Sequence, residues 1–159
     1  MYVDRNKSAA DNMLALINET NDTTLTYSNF TLGNPVALPP VYLPKADPDD
    51  PNEPLIVDRT ADNTSIKVTG IGDYTDEVTM TYRRLDLDFE VQYLRYEKAD
   101  YTNWADFLAK FAVKNDILVA ELQFSISALP TTPGVNQVTV TPVSNSKIYF
   151  GTKTIRINV

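Results

Sequence analysis

Residues 8–22 read SAADNMLALINETND, and 94 positions later residues 102–116 read TNWADFLAKFAVKND. In the first stretch Ala10, Met13, Leu14 and Ile17 fall at the i, i+3, i+4, i+7 spacing of a helix stripe. Ser8 supplies an N-cap hydroxyl, and Asp11 puts a carboxylate in the first turn. In the second stretch Thr102 takes the cap position, and Trp104, Phe107, Leu108 and Phe111 take the four apolar ones. The same offset, without a gap, lays Asn21-Asp22 on Asn115-Asp116, Phe30 on Phe124, Leu32 on Ile126 and Tyr2 on Tyr96. Two capped helices are predicted, with Leu14, Ile17, Trp104, Phe107, Leu108 and Phe111 buried.

The correspondence resumes after a change of offset. Ser65–Thr69 lies on Gln137–Thr141 at 72 residues, Tyr74 on Tyr149 at 75, and Met80 and Tyr82 on Ile155 and Ile157. The jump marks an insertion within residues 34–60 of the first half, a stretch with prolines at 35, 39, 40, 44, 48, 51 and 54. The expected fold is α+β, in two similar small halves. Each has one short helix and a small, mainly antiparallel sheet: residues 1–88 with the insertion, then 89–159. The competing explanation is that any two capped helices followed by strands would align in this way. By β-branched or alternating composition the strands fall at Thr24–Leu32, Ser65–Thr69 and Glu77–Arg83, then Leu118–Ser127, Gln137–Val143 and Thr152–Val159. Phe89–Tyr93 also alternates, and reads as a strand joining the halves. Gly70–Asp73 and Pro133-Gly134 supply turns. The halves span 88 and 71 residues, each marginal for an independent core, so each is expected to pack against the other or against further chains.

Composition narrows the chemistry. The 159 residues include no cysteine and no histidine. That excludes disulfides, thiolate nucleophiles, Cys/His zinc sites, Ser-His-Asp catalysis and imidazole switching. With 14 basic against 21 acidic residues the net charge is −7, the wrong sign for a phosphate-binding surface, so nucleic acid is not an expected partner. No apolar run approaches the length of a membrane span, and Met1–Arg5 does not resemble a secretory signal. The Asn-X-Ser/Thr triplets at Asn18, Asn21, Asn29 and Asn63 therefore read as strand and turn composition rather than as glycan acceptors.

Three clusters are candidates for function. Asp47-Pro48-Asp49-Asp50-Pro51-Asn52-Glu53 carries four carboxylates, but prolines interrupt it and the glycine of a calcium loop is missing. A solvated, stiff surface loop that reaches a neighbouring subunit is expected instead. Asp86, Asp88 and Glu90 alternate, and would share one face of a strand. Arg83-Arg84 is the only basic pair, with Arg95 and Lys98 near it in sequence, and suits either ordinary surface charge or an acidic partner such as that loop of another copy. The insertion itself presents Val41, Tyr42, Leu43, Leu55 and Ile56 and is expected to be an intermolecular arm or a loop folded on its own domain. No phosphate loop, nucleophile elbow or metal-ligand spacing occurs, so neither an enzyme nor a cofactor is expected.

Leu14–Asn18, Asn21–Thr26 and Phe30–Pro35, with Asn63–Thr69, Tyr74-Thr75-Asp76 and Tyr82–Leu85, together resemble a repeated module in virion structural proteins of large tailed bacteriophages. Asp76 stands where that module has Gly, and Arg83 where it has Asn. The second half keeps Gly151 after Tyr149-Phe150 but lacks the closing Tyr-Asn-Arg. The resemblance implies a non-enzymatic virion part, assembled in the host bacterial cytoplasm. Such a part would decorate or cement the capsid, or belong to the neck, tail or baseplate. Its partners would be other virion proteins or copies of itself, with no membrane involved. The alternative is a module that binds carbohydrate or another surface ligand through exposed tyrosines.

Overall fold

The computed structural model describes residues 4, 6–28, 30–71 and 76–159. The fold is α+β, with mainly antiparallel sheets and few helices. The chain divides into two compact units: one is Leu14–Arg84, the other Leu85–Val159 together with the described residues up to Met13. The division falls inside the first helix, α1 (Ala9–Asn21).

Helix α1 starts where the Ser8 hydroxyl accepts the Asp11 N–H at 3.1 Å. Its buried stripe is Asn12, Met13, Leu16 and Ile17, one step round from the expected one: Leu14 is half-buried and Ala10 exposed. Asn12 is buried because its side chain serves the backbone, accepting the Asp4 N–H at 2.7 Å and donating to the Asp4 carbonyl at 2.8 Å.

In the first unit the central strand is β3 (Thr64–Gly70). On one side it pairs antiparallel with β4 (Glu77–Tyr82). On the other side β1 (Phe30–Leu32) and β2 (Val36–Ala37) share the same partner, one after the other, interrupted by Gly33-Asn34-Pro35. The predicted strand at Thr24–Leu32 is thus shorter at its start. Thr64, Ile66, Val68 and Tyr82 turn inward, as the period of two requires.

In the second unit β5 (Leu85–Asp86) leads straight into the one-turn helix α2 (Leu87–Glu90). The alternation at Phe89–Tyr93 is therefore not a strand. Asp86 accepts the Asp88 N–H and caps the turn, so Asp86, Asp88 and Glu90 form no row on a strand face. Next come β6 (Arg95–Glu97), α3 (Trp104–Asn115), β7 (Leu122–Phe124), β8 (Val135–Pro142), β9 (Tyr149–Phe150) and β10 (Lys153–Asn158). The main sheet runs β6-β10-β8-β7, with β6 parallel to β10 and the other pairs antiparallel. The cap of α3 is Asn103 rather than Thr102: Asn103 accepts the Asp106 N–H, while the Asp106 carboxylate reaches back to the Thr102 N–H at 3.0 Å. The expected strand at Leu118–Ser127 opens instead with a 3-10 turn, Val119–Glu121.

Helix α3 lies on this sheet through aromatic rings. Phe124 meets Trp104, Phe107 and Phe111 at 5.3–6.2 Å, and Tyr96 meets Phe107 and Phe111 at 5.3 and 5.7 Å. Phe107 and Phe111 are fully buried, whereas Trp104 and Leu108, at the edge of the stripe, are half-buried.

The long antiparallel pairs of the two units share a register. Ile66 faces Met80 in one, and Val138 faces Ile155 in the other, the offsets of 72 and 75 residues read from the sequence. The first edge strands differ by two residues: Phe30 faces Gly70, but Phe124 faces Val140. Tyr2 and Tyr74, which the sequence aligns with Tyr96 and Tyr149, lie outside the described residues, as do Asn29, Gly72 and Asp73.

Candidate functional site

Between β2 and β3 the chain runs out and back as a narrow ribbon. The Leu38 N–H is held by the Asn63 carbonyl at 2.8 Å, which closes its base. Further out, Tyr42 and Val57 form an antiparallel bridge. It is flanked by Leu43 N–H to the Ile56 carbonyl at 2.8 Å and Asp58 N–H to the Val41 carbonyl at 2.7 Å. Strand alternation puts Tyr42 and Val57 on one face of the ribbon, and Val41, Leu43 and Ile56 on the other. With Leu55, all are 45–60% exposed. A ribbon with apolar side chains on both faces can bury neither by itself, and a lone two-stranded ribbon is marginal in water. Val57 belongs to this group although the sequence did not single it out; its bridge to Tyr42 was the missing signal.

The acidic segment is the tip of the ribbon, and its carboxylates shape the turn. Glu53 accepts the Ala46 and Asp47 N–H groups, both at 2.8 Å; Asp47 accepts from Asp49, and Asp50 from Asn52. Lys45 Nζ donates to the Asp50 carbonyl at 2.8 Å. The Asp58 carboxyl at the base is held below its usual range by the Thr60 hydroxyl and N–H groups. Among the described residues no three acidic side chains converge closely enough to hold a metal ion.

Arg83 and Arg84 lie elsewhere in the first unit, just after β4, and both side chains are engaged. Arg84 Nε donates to the Thr64 hydroxyl at 2.9 Å, and its backbone N–H is taken by Asn63 at 2.8 Å. Arg83 Nη1 donates to the Arg59 carbonyl at 3.1 Å. Asn63 returns a bond to the Arg84 carbonyl, Asn18 donates to Leu25, and Asn21 to Thr81, so these amides are structural members.

A second charged feature lies on the sheet of the second unit. Arg95 on β6 and Arg156 on β10 are in register, and both are exposed because their neighbours Tyr96 and Ile157 face the core. Neither guanidinium has an ion-pair partner among the described residues. Like charges side by side on a sheet destabilise it. The sequence placed Arg95 beside Arg83-Arg84; only strand pairing reveals Arg156 as its neighbour.

With this geometry in hand, a family model described as a family of unknown function (DUF7941) matches residues 3–159. The chain belongs to this family. The match spans both units and the ribbon, so the ribbon lies within the stretch that the DUF7941 family describes. No curated protein and no solved structure matches the chain. No helix among the described residues is long and apolar enough to cross a membrane.

Proposed function

We propose that this chain is a non-enzymatic structural component of a tailed-phage virion, a capsid decoration or cement protein or a neck or tail part, assembled in the host bacterial cytoplasm. It acts through contacts with other virion proteins, including copies of itself. The observation that carries the proposal is the ribbon: six large apolar side chains held out on both faces of an ordered arm have no use in an isolated chain. About half of each side chain remains to be buried, so at an interface each would contribute roughly 1 kcal/mol, together enough to seat the arm. The resemblance of Asn21–Thr26, Phe30–Pro35 and Asn63–Thr69 to the phage module supports placing that interface in a virion.

Quantitative mass spectrometry of purified particles tests the proposal through copy number. A cement or sheath part should be present in dozens to hundreds of copies. A handful of copies would favour a recognition tip instead, and absence from the particle would end the assignment.

A further inference from the structure

The apolar ribbon and the register-paired arginines are complementary in charge, and their complementarity names an occupant for the ribbon. Its tip carries Asp47, Asp49, Asp50 and Glu53 against a single cation, Lys45. Two such tips repel each other, so ribbon-to-ribbon pairing is disfavoured. The surface that suits the ribbon must combine exposed apolar groups with net positive charge. The outer face of the β6–β10–β8 sheet does so: it carries two arginines against one carboxylate, Glu97, which lies in the row of Asn158 and Val135 and accepts a hydrogen bond from the Asn158 side chain. Arg95 and Arg156 stand side by side there, flanked by Tyr93, 52% exposed two residues before Arg95, and by Val135, 64% exposed at the start of β8. From Val41 to Asp47 the ribbon extends about 20 Å, enough to cross several strands.

We propose that the ribbon of one copy docks on this face of a second copy, its acidic tip over Arg95 and Arg156 and its apolar flank against Tyr93 and Val135. The inference rests on the ribbon being an interaction arm, and adds its partner. Ribbon and face are different patches, so the contact is heterologous: each copy offers one donor and one acceptor, and copies join head to tail into rings or strings. A carboxylate tip also explains how two adjacent arginines are tolerated, because a neighbour neutralises them.

Sedimentation velocity on the full chain tests this with charge reversal in two places. One variant carries Asp47→Lys, Asp49→Lys and Asp50→Lys; the other carries Arg95→Glu and Arg156→Glu. Asp47, Asp49, Arg95 and Arg156 are exposed and Asp50 is half-buried. Circular dichroism confirms that each variant is folded, and mixing the two variants controls for the turn bonds that Asp47 and Asp50 give up. The native chain should associate with rising concentration, and about tenfold more weakly when salt is raised from low to high ionic strength. Each variant alone should remain monomeric. An equimolar mixture of the two should associate again, because each altered surface now meets a complementary one.

Native chain that stays monomeric to about 100 μM would overturn the inference, since a weaker contact has no bearing on assembly. So would variants that associate like the native chain, or a mixture that stays monomeric. These outcomes are separable from the virion assignment. A chain abundant in particles yet monomeric in all three experiments keeps that assignment and loses only this partner. A self-associating chain absent from particles does the reverse.

Discussion

Asn21-Asp22 and Asn115-Asp116 are two of the clearest correspondences in the sequence, and the structure gives them one physical meaning. Each Asn donates to the carbonyl four residues back, Ile17 or Phe111, and each Asp takes the left-handed conformation with φ of 52° or 56°. The next residue then donates to the carbonyl five back, Thr23 to Asn18 and Ile117 to Ala112. The pair is a helix stop. Asn115 does more: its Oδ1 accepts the Gln92 and Tyr93 N–H groups, and its Nδ2 donates to Tyr96 Oη, all near 3.0 Å. Asn115→Ala should therefore cost about 2–4 kcal/mol in urea unfolding, and Asn21→Ala, with its single link to the Thr81 carbonyl, about 1–2 kcal/mol. Gly151 is a second special position. Its φ is +81°, and a Cβ there would overlap the Asp86 carboxylate that caps α2. Gly151→Ala should destabilise by about 2 kcal/mol or more. In a double-mutant cycle Asp86→Ala should recover the overlap but not the backbone strain; strictly additive losses would contradict this contact.

At the scale of elements, the helices were legible because apolar spacing and a cap agree, and the aromatic stripe of α3 makes the strongest expectation. Phe107→Ala or Phe111→Ala should lower stability by about 3–5 kcal/mol, whereas Leu108→Ala, at the edge of the stripe, should cost about 1–2 kcal/mol. Chemical unfolding that ranked Leu108 above Phe107 would contradict the packing described. Phe89–Tyr93 misled because alternation over five residues is also compatible with one helical turn, and the Asp86 cap decided between them. Thr102 misled for a related reason: either of two adjacent polar residues can cap, and Asp106 fixed the choice by reaching back past Asn103. The ribbon was legible as an insertion, because its prolines and the jump in offset coincide. Its two-stranded form was not, since it rests on one bridge between residues fifteen apart. Replacing residues 42–57 by a short Gly/Ser bridge joins ends that already lie within a hydrogen bond of each other. The shortened chain should keep its thermal midpoint within about 4 °C while losing self-association. A large fall in midpoint would mean that the ribbon packs on its own domain.

Over the whole molecule the absence of histidine and cysteine leaves no side chain with an ordinary titration between the carboxylates and the tyrosines. Three of the nine tyrosines are displaced further still. Burial pushes Tyr82, Tyr96 and Tyr149 up to about 12. A folded pKa above the unfolded value of about 10 means that the unfolded chain releases these protons first, so their contribution is intact below pH 10 and is lost as pH rises from about 10 to 12. Ultraviolet titration should show these three ionising late and together with unfolding, and phenylalanine at all three positions should remove the late step. The α+β class was readable from composition and spacing. The division of the chain was not, because its boundary falls inside a continuous helix where no change of composition marks it. We propose that the shared register of Ile66–Met80 and Val138–Ile155, together with the shared helix stop, reflects an ancient duplication. The edge strands differ between the two units, with Phe30 on Gly70 against Phe124 on Val140.

The sheet of the first unit has one further consequence, for colloidal behaviour. Strands as rich in Thr and Val as β3 and β4 are prone to stack into open-ended fibres when an edge lies bare. Here one edge is broken between β1 and β2 at Pro35, which has no N–H to offer an incoming strand. On the other edge the Thr81 carbonyl of β4 is already occupied by the Asn21 side chain, and the Thr81 hydroxyl by Asp62. A single amide and a single ring thus shorten the bare edge that a sticky sheet offers to another copy, and Pro35→Val combined with Asn21→Ala should hasten fibre formation, as followed by thioflavin fluorescence.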